Sequence, residues 1–247
     1  MISKETIVDV LITEFHRHKS LKIAEDSAMK KLHRIRAEYL GEPNYKKVKE
    51  SLKAAFESGN DEEINGILFD IFSEHSSTRE RNILLKEYYG KIFDYTGTPE
   101  SIADLAAAFN PLSFRWMGLP KSVKYFAYDV NINFIELINF YFGLEGLSQT
   151  AIQRDILISP PEIYTDIAFL FKMFYCLEHR RRGAGIEVVK NVPSKYVAIS
   201  FPTINLVNKK TDILAIHHED ILKAVSENNW KMDYINFANE IVVMITK

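Results

Sequence analysis

The sequence predicts an α/β fold: a largely parallel sheet with helices on both faces, preceded by an all-helical N-terminal region. Two observations predict it. Up to about residue 95, apolar side chains recur at helical spacing, as in Ile7, Val10, Leu11 and Phe15, then Leu32, Ile35 and Tyr39. From Ser101 onward, short apolar runs alternate with helical stretches, the pattern of a parallel sheet. The breaks at Gly41-Glu42-Pro43-Asn44 and Ser58-Gly59-Asn60 separate helices. Ser77 followed by Glu80 is a capping-box pair, so a helix is expected from Ser77 to about Asp94. Thr96-Gly97-Thr98-Pro99 reads as a linker, dividing the chain into residues 1–96 and 97–247.

The expected strands are Ile102–Leu105, Val123–Tyr128, Thr150–Gln153, Ile167–Phe171, Tyr196–Ser200, Lys231–Phe237 and Glu240–Ile245. Helices are expected near Asn131–Phe142, Met173–Arg182 and His217–Glu227. Only Ala238-Asn239 separates the last two strands. They should form a hairpin that places an antiparallel strand at one side of the sheet.

Composition bounds the rest. At 47% apolar and 26% charged, 247 residues are enough for a sizeable core. The single cysteine, Cys176, rules out an internal disulfide and suggests a reducing, cytoplasmic setting. Lys4, Glu5 and Asp9 interrupt any apolar run at the start, so no signal peptide is expected. The longest apolar stretch, Ala168 to Leu177, is broken by Lys172 and falls short of the ~18 residues of a membrane span.

The net charge is −2, but between His16 and Lys53 eleven Lys/Arg face five acids. Such a segment suits a polyanion-binding face or an ordinary solvated helix surface. His217-His218-Glu219-Asp220 reads as a helix start rather than a metal site, because adjacent helical residues point about 100° apart.

Ligands of open α/β sheets sit beyond the carboxyl ends of the strands. The first strand ends in the small-residue run Ala106-Ala107-Ala108, which lets backbone approach a ligand. The second ends at Asp129, placed to accept hydrogen bonds from a ribose diol. Asp155 follows the third and Lys172 the fourth. This order points to an adenosyl ligand. No GxGxxG or Walker A pattern is present, which disfavours dinucleotides and triphosphates.

Longer segments carry a family resemblance: Arg17 to Lys22, Lys31-Leu-His33, His75-Ser-Ser-Thr-Arg-Glu-Arg81 and Asp104 through Phe109-Asn-Pro-Leu112. They continue with Tyr128-Asp129, Gln153, Asp155 through Pro161, Asp166 through Lys172, Leu177-Glu178, Ile199 to Pro202 and Asn239-Glu-Ile241. Together they resemble the aminoglycoside-resistance 16S ribosomal RNA methyltransferases, which methylate N7 of a guanine in the decoding site of the 30S subunit.

The resemblance implies a Rossmann-like class I methyltransferase domain over 97–247, using S-adenosylmethionine and releasing S-adenosylhomocysteine. The helical domain over 1–96 would dock on 16S rRNA in the 30S subunit through Arg17, Lys19, Lys22, Lys30, Lys31 and Arg34. Arg81 would hold the methionine carboxylate. Asp104 would orient the loop or the ammonium group, and the loop through Ala106, Ala108 and Asn110 would border the cofactor. Asp129 would take the ribose; Asp155 and the Ile156 backbone would reach the adenine. Lys172 would line the methyl-transfer site, and Tyr175 would stack on the target base or pack in the core. Neither a metal nor an obligate dimer is implied; the expectation is a monomer without a membrane.

Three positions depart from the family pattern. Ala108 stands where relatives carry glycine, the stretch Asn205 to Thr211 lacks glycine, and Tyr175 replaces a frequent proline. A positive φ at Ala108 would cost about 1 kcal/mol or more, and its methyl would obstruct the ligand if it faced the site. Two further readings therefore stay open: a non-catalytic rRNA-binding relative, or a methyltransferase with another RNA target.

Overall fold

The computed structural model describes residues 2–37, 43–74, 85–203 and 213–247. Four helices open the chain: α1 (Lys4–Arg17), α2 (Leu21–Ala37), α3 (Tyr45–Ser58) and α4 (Asp61–Glu74). Helix α5 is described over Leu85–Thr96. The start expected at Ser77 lies outside the described residues.

A seven-stranded sheet follows: β1 (Ser101–Leu105), β2 (Lys124–Asp129), β3 (Ala151–Gln153), β4 (Thr165–Phe171), β5 (Ser194–Pro202), β6 (Lys231–Asn236) and β7 (Glu240–Thr246). Between the strands run a 3-10 segment (Asn110–Trp116) and helices α6 (Ile132–Glu145), α7 (Phe174–Arg180), α8 (Ala184–Asn191) and α9 (Ile213–Glu227). The order is β3-β2-β1-β4-β5-β7-β6. Strands β1 to β5 pair in parallel, and β7 pairs antiparallel with both β5 and β6. The terminal hairpin and its antiparallel strand are as expected.

The central strands are buried on both faces, and alternate residues sort into two cores. In β4, Ile167, Phe169 and Phe171 enter one core and Ala168 and Leu170 the other. In β7, Val242 and Met244 oppose Val243 and Ile245 in the same way. The first core contains Leu52 of α3, Leu68 and Phe72 of α4, Tyr88, Tyr89 and Ile92 of α5, and the apolar side of α6. It therefore runs without a break across residue 96. The second core takes Phe174, Leu177, Val188 and Ile221 from α7 to α9.

Two differences from the sequence reading have local causes. The chain after β4 forms two helices, not one. Arg181 is extended, and Gly183 turns the chain with φ +82°. Both Glu178 carboxylate oxygens then cap α8, accepting from the Gly183 and Gly185 N–H groups at 2.7 and 2.8 Å. Gly185 allows the close packing there: a Cβ would sit 2.8 Å from the Phe174 ring. The second difference is α9, which is already helical at Ile213, so His217 lies a turn inside it rather than at its start.

Helices α1 and α2 stand apart from both cores and pair with each other. Their junction is one carboxylate. Glu14 is fully buried, with Lys31 Nζ at 2.6 Å, His18 Nε2 at 3.3 Å and Arg17 at 3.7 Å. The Ser27 hydroxyl donates to it at 2.5 Å. Burial pushes its pKa up, but Lys31, Ser27 and Arg17 outweigh burial and hold it at about 2, below the usual 4.5. A lowered carboxylate pKa adds stability that is fully present above 4.5 and lost as pH falls toward 2. We expect Glu14→Gln to speed hydrogen exchange of α1 and α2 amides at pH 7 while sheet amides keep their protection. Equal protection of the two helices in both proteins would show that Glu14 does not join them.

Candidate cofactor and methyl-transfer site

Strand order reverses between β1 and β4, which opens a crevice beyond their carboxyl ends. The loop after β1 enters it through two non-glycine residues at positive φ, Ala106 (54°) and Ala108 (45°). Hydrogen bonds on both sides of the loop hold this geometry. Ala107 N–H donates to Tyr128 O at 2.9 Å, and Ala108 N–H to Asp129 Oδ2 at 3.0 Å. Below them Asp104 accepts from Asn110 Nδ2 at 2.8 Å and Tyr125 OH at 2.7 Å. Tyr89 OH donates to Asn110 Oδ1 at 2.8 Å, closing a buried polar network. Burial, with the Asp104 charge beside it, raises the Tyr125 phenol well above its usual 10. The phenol therefore remains a donor to Asp104.

A cleft of about 120 Å³ lies over these strand ends. Ala106, Asp129, Val130 and Asn131 form one side, and Arg154, Asp155 and Ile156 another. Met173, Cys176, Leu177, His179 and Arg180 contribute from α7 and the residue before it, Phe134 from α6, and Ile2, Lys31 and Ile35 from the N-terminal helices.

Asp129 is 7% exposed. Its two oxygens accept backbone N–H groups of Ala108 and Asn131, which leaves acceptor capacity for a diol. Burial pushes its pKa up to about 6 against those backbone donors, and the Asp155 charge adds in the same direction. Asp155 is 1% exposed. Its Oδ2 accepts from Arg180 at 2.6 Å and from Thr6 at 2.7 Å, and its Oδ1 from Leu157 N–H at 3.1 Å. The Ile156 N–H has no acceptor among the described residues.

The structure thus brings Ala106, Asp129, Asp155 and Ile156 together at one cleft. Asp104 and Asn110 lie beneath the loop and hold it. Ala108 is 6% exposed and belongs to the first core, so its methyl does not narrow the cleft. Arg81 falls outside the described residues, as do Asn205 to Thr211.

Lys172 sits at φ +58°, with its N–H bonded to Ser200 O and Oγ. Its ammonium lies 3.4 Å from the fully buried Glu240, which also accepts from Tyr88 OH at 2.7 Å. Lys172 does not line the cleft. Tyr175 is 37% exposed, packed edge-on against His179 at 4.1 Å, and is likewise outside the lining. Phe174 packs in the second core, whereas Cys176 is half-buried at the cleft.

Of the basic residues singled out, Lys19, Lys22 and Lys30 are exposed, and the Arg17 side chain is 65% exposed. Lys31 faces the cleft and is tied to Glu14. The side chain of Arg34 lies outside the described residues. Sequence reasoning did not find Arg180 or the first turn of α1. Arg180 is one of three consecutive arginines, Arg180-Arg181-Arg182, at the end of the expected helix. Only the spacing Asp155–Arg180 across β4 could have hinted at an ion pair.

The family model "Ribosomal RNA methyltransferase (FmrO)" matches residues 2–245. The chain belongs to this family. It is 31% identical over 218 residues to the 16S rRNA (guanine(1405)-N(7))-methyltransferase of Micromonospora echinospora, covering 87% of this chain and 80% of that protein. The protein of the same name from Micromonospora rosea is 30% identical over the same shares of each chain. Among solved structures, the 16S rRNA methyltransferase RmtF in complex with S-adenosyl-L-homocysteine superposes with a TM-score of 0.82. That match covers 100% of this chain and 92% of that one at 23% identity. The 16S rRNA methylase RmtB gives 0.78, at 23% identity over 100% and 91%. Both likenesses establish the Rossmann-like fold for this FmrO-family protein.

The alanine loop has a measurable cost. An L-residue in the left-handed region costs roughly 1–2 kcal/mol, against about 0.5–1 kcal/mol of chain entropy for glycine. We expect Ala106→Gly to raise unfolding stability by about 0.5–1 kcal/mol. Ala108→Gly should gain less, because it removes a methyl packed in the first core. Urea denaturation of both variants checks this, and a loss of stability at Ala106→Gly would contradict it.

Proposed function

We propose that this protein is an S-adenosylmethionine-dependent methyltransferase that modifies N7 of a guanine in the decoding site of 16S rRNA, within the 30S subunit. The observation that carries the reading is the convergence of Asp129, Asp155 and the open Ile156 N–H on one cleft, in a chain matched to the family from end to end. Residues 97–247 are read as the catalytic domain and 1–96 as the domain that docks on rRNA. We read the protein as a cytoplasmic monomer. No described helix is long and apolar enough to cross a membrane.

The cleft suits an adenosyl group. Asp129 has acceptor capacity left for ribose hydroxyls. Asp155 offers a carboxylate to an exocyclic amine, and Ile156 offers a donor to a ring nitrogen. Arg81 is read as the partner of the methionine carboxylate, a task suited to a bidentate guanidinium. S-adenosylmethionine supplies a methyl group on a sulfonium.

Guanine N7 carries an accessible lone pair, so the chain needs no general base. Its residues act by alignment, which shortens the approach of nucleophile to methyl carbon. The target base must leave its stack to reach the cleft. Tyr175, exposed beside His179 next to the residues after β4, is the side chain we assign to stack on it. Lys172, neutralised by Glu240, is read as fixing the chain at the end of β4. The Ala108 methyl packs in the first core, which supports the catalytic reading over a non-catalytic one.

The docking surface is read as Arg17, Lys19, Lys22 and Lys30, since rRNA recognition rests largely on shape and phosphate contacts. Charge reversal of Lys19 and Lys30 should weaken 30S binding and leave S-adenosylhomocysteine affinity unchanged. Equal loss of both in a folded protein would break this division. The decisive experiment is methylation of isolated 30S subunits with labelled cofactor, followed by mass mapping of 16S rRNA. Modification of a decoding-site guanine at N7 is expected; a modified nucleotide elsewhere would assign another target.

Cofactor binding should also depend on pH. The Asp129 carboxyl titrates at about 6 and accepts best when ionised. Affinity for S-adenosylhomocysteine should therefore fall as pH drops from 7 through 6, by up to about tenfold per unit. Asp129→Asn should bind about 10- to 100-fold more weakly at pH 7.5 and show a flat profile from pH 5 to 8. Calorimetric titration reads both; a sloping profile in the variant would place the titrating group elsewhere.

A further inference from the structure

The N-terminal helix touches the candidate cofactor site at the ends of two strands. The Ser3 N–H donates to Val130 O at 2.9 Å, and Ile2 forms a bridge with Asn131, both just beyond β2. One turn on, α1 meets the loop after β3. Glu5 Oε1 accepts the Asp155 N–H at 2.8 Å, and the Thr6 hydroxyl donates to the Asp155 carboxylate. Asp9 meets Arg180 at 2.7 Å, and Arg180 in turn holds Asp155.

The direction of these bonds follows from an acceptor-only carboxylate. Thr6 must give its proton to Asp155. Ser3 Oγ, 2.7 Å from Thr6 Oγ1, must then donate to Thr6 while accepting the Thr6 N–H. Thr6 is fully buried. The Arg180 side chain is 12% exposed, and its Nε has no acceptor among the described residues. Its two terminal nitrogens are committed to Asp155 and Asp9. Together with Leu157 N–H, these contacts fix the Asp155 carboxylate in one orientation. Meanwhile α1 uses only the Asp155 N–H and leaves that of Ile156 open.

We propose that α1 is a wall of the cofactor site, with Thr6 and Arg180 acting as positioning residues that aim the Asp155 carboxylate at the adenine amino group. The proposal rests on the reading that Asp155 faces adenine. It assigns to the N-terminal helix a share in base discrimination, beyond any role in docking. Neither Thr6 nor Arg180 need touch the cofactor. Each acts through Asp155, and Asp9 acts through Arg180.

The test uses calorimetry on the full chain with two ligands: S-adenosylhomocysteine, and S-inosylhomocysteine, which carries a carbonyl where adenine has its amine. A fixed carboxylate facing the amine favours the first and repels the second. Thr6→Val should lower affinity for S-adenosylhomocysteine about tenfold and narrow the ratio between the two ligands, whereas Thr6→Ser keeps the wild-type ratio. Asp9→Asn, at a half-exposed position that does not threaten folding, should narrow the ratio severalfold by releasing Arg180. Thr6→Val and Asp9→Asn proteins that weaken both ligands equally, or neither, would overturn the positioning role. Asp155→Asn separates this from failure of the underlying reading. If that variant leaves the ratio unchanged, adenine does not face Asp155 and the assignment of the site falls with it.

Discussion

Two buried carboxylates hold the turn after β1, and the rest of the site depends on it. Ala106 and Ala108 occupy a backbone region that disfavours L-residues. They stay there because Asp129 takes the Ala108 N–H and Asp104 takes Asn110, while Tyr128 O takes the Ala107 N–H. The same Asp129 faces the cleft. A carboxylate that shapes the loop thus also lines the cleft. Burial, with the Asp155 charge beside it, raises its pKa to about 6 against its backbone donors, so its charge depends on pH close to neutrality.

The N-terminal helices serve two mechanical purposes. Helices α3 to α5 cover one face of the sheet and share its core, with Tyr88 and Tyr89 packed against Phe171 and Phe169. Arg115 adds a polar tie, bonding Asp61 of α4 at 2.8 Å and Glu145 of α6. The α1–α2 pair instead sits over the strand ends and is joined internally by Glu14. Its contacts with the sheet domain are largely polar and concentrated around Asp155 and Val130. Apolar side chains on its outer side, Val8, Ile12, Phe15 and Leu21, remain exposed.

Much of the fold was legible because its signals are local. The central strands, buried on both faces, must be apolar at successive positions, and all seven strands were read to within two residues at each end. Helix α8 escaped because its start depends on Glu178 reaching two backbone N–H groups from the preceding helix. The ends of β2 and β3 announced Asp129 and Asp155, since topology fixes where a strand's last residue lies. Lys172 shows the limit of that argument. Its place after β4 was read from the chain, but its left-handed backbone and its ion pair with Glu240, sixty-eight residues further on, were not.

The sequence by itself determined the two-faced sheet, the order of acids along the strand ends and the family. These rest on period, spacing and contiguous motifs, all encoded within short stretches of chain. Only the tertiary structure decided which charges are free and which are spent. Lys31 was one basic residue among eleven until Glu14 claimed it, and Arg180 was one of three arginines until Asp155 and Asp9 did. Whether a side chain points to solvent or to a partner depends on residues brought together from distant parts of the chain, and no local pattern records that choice.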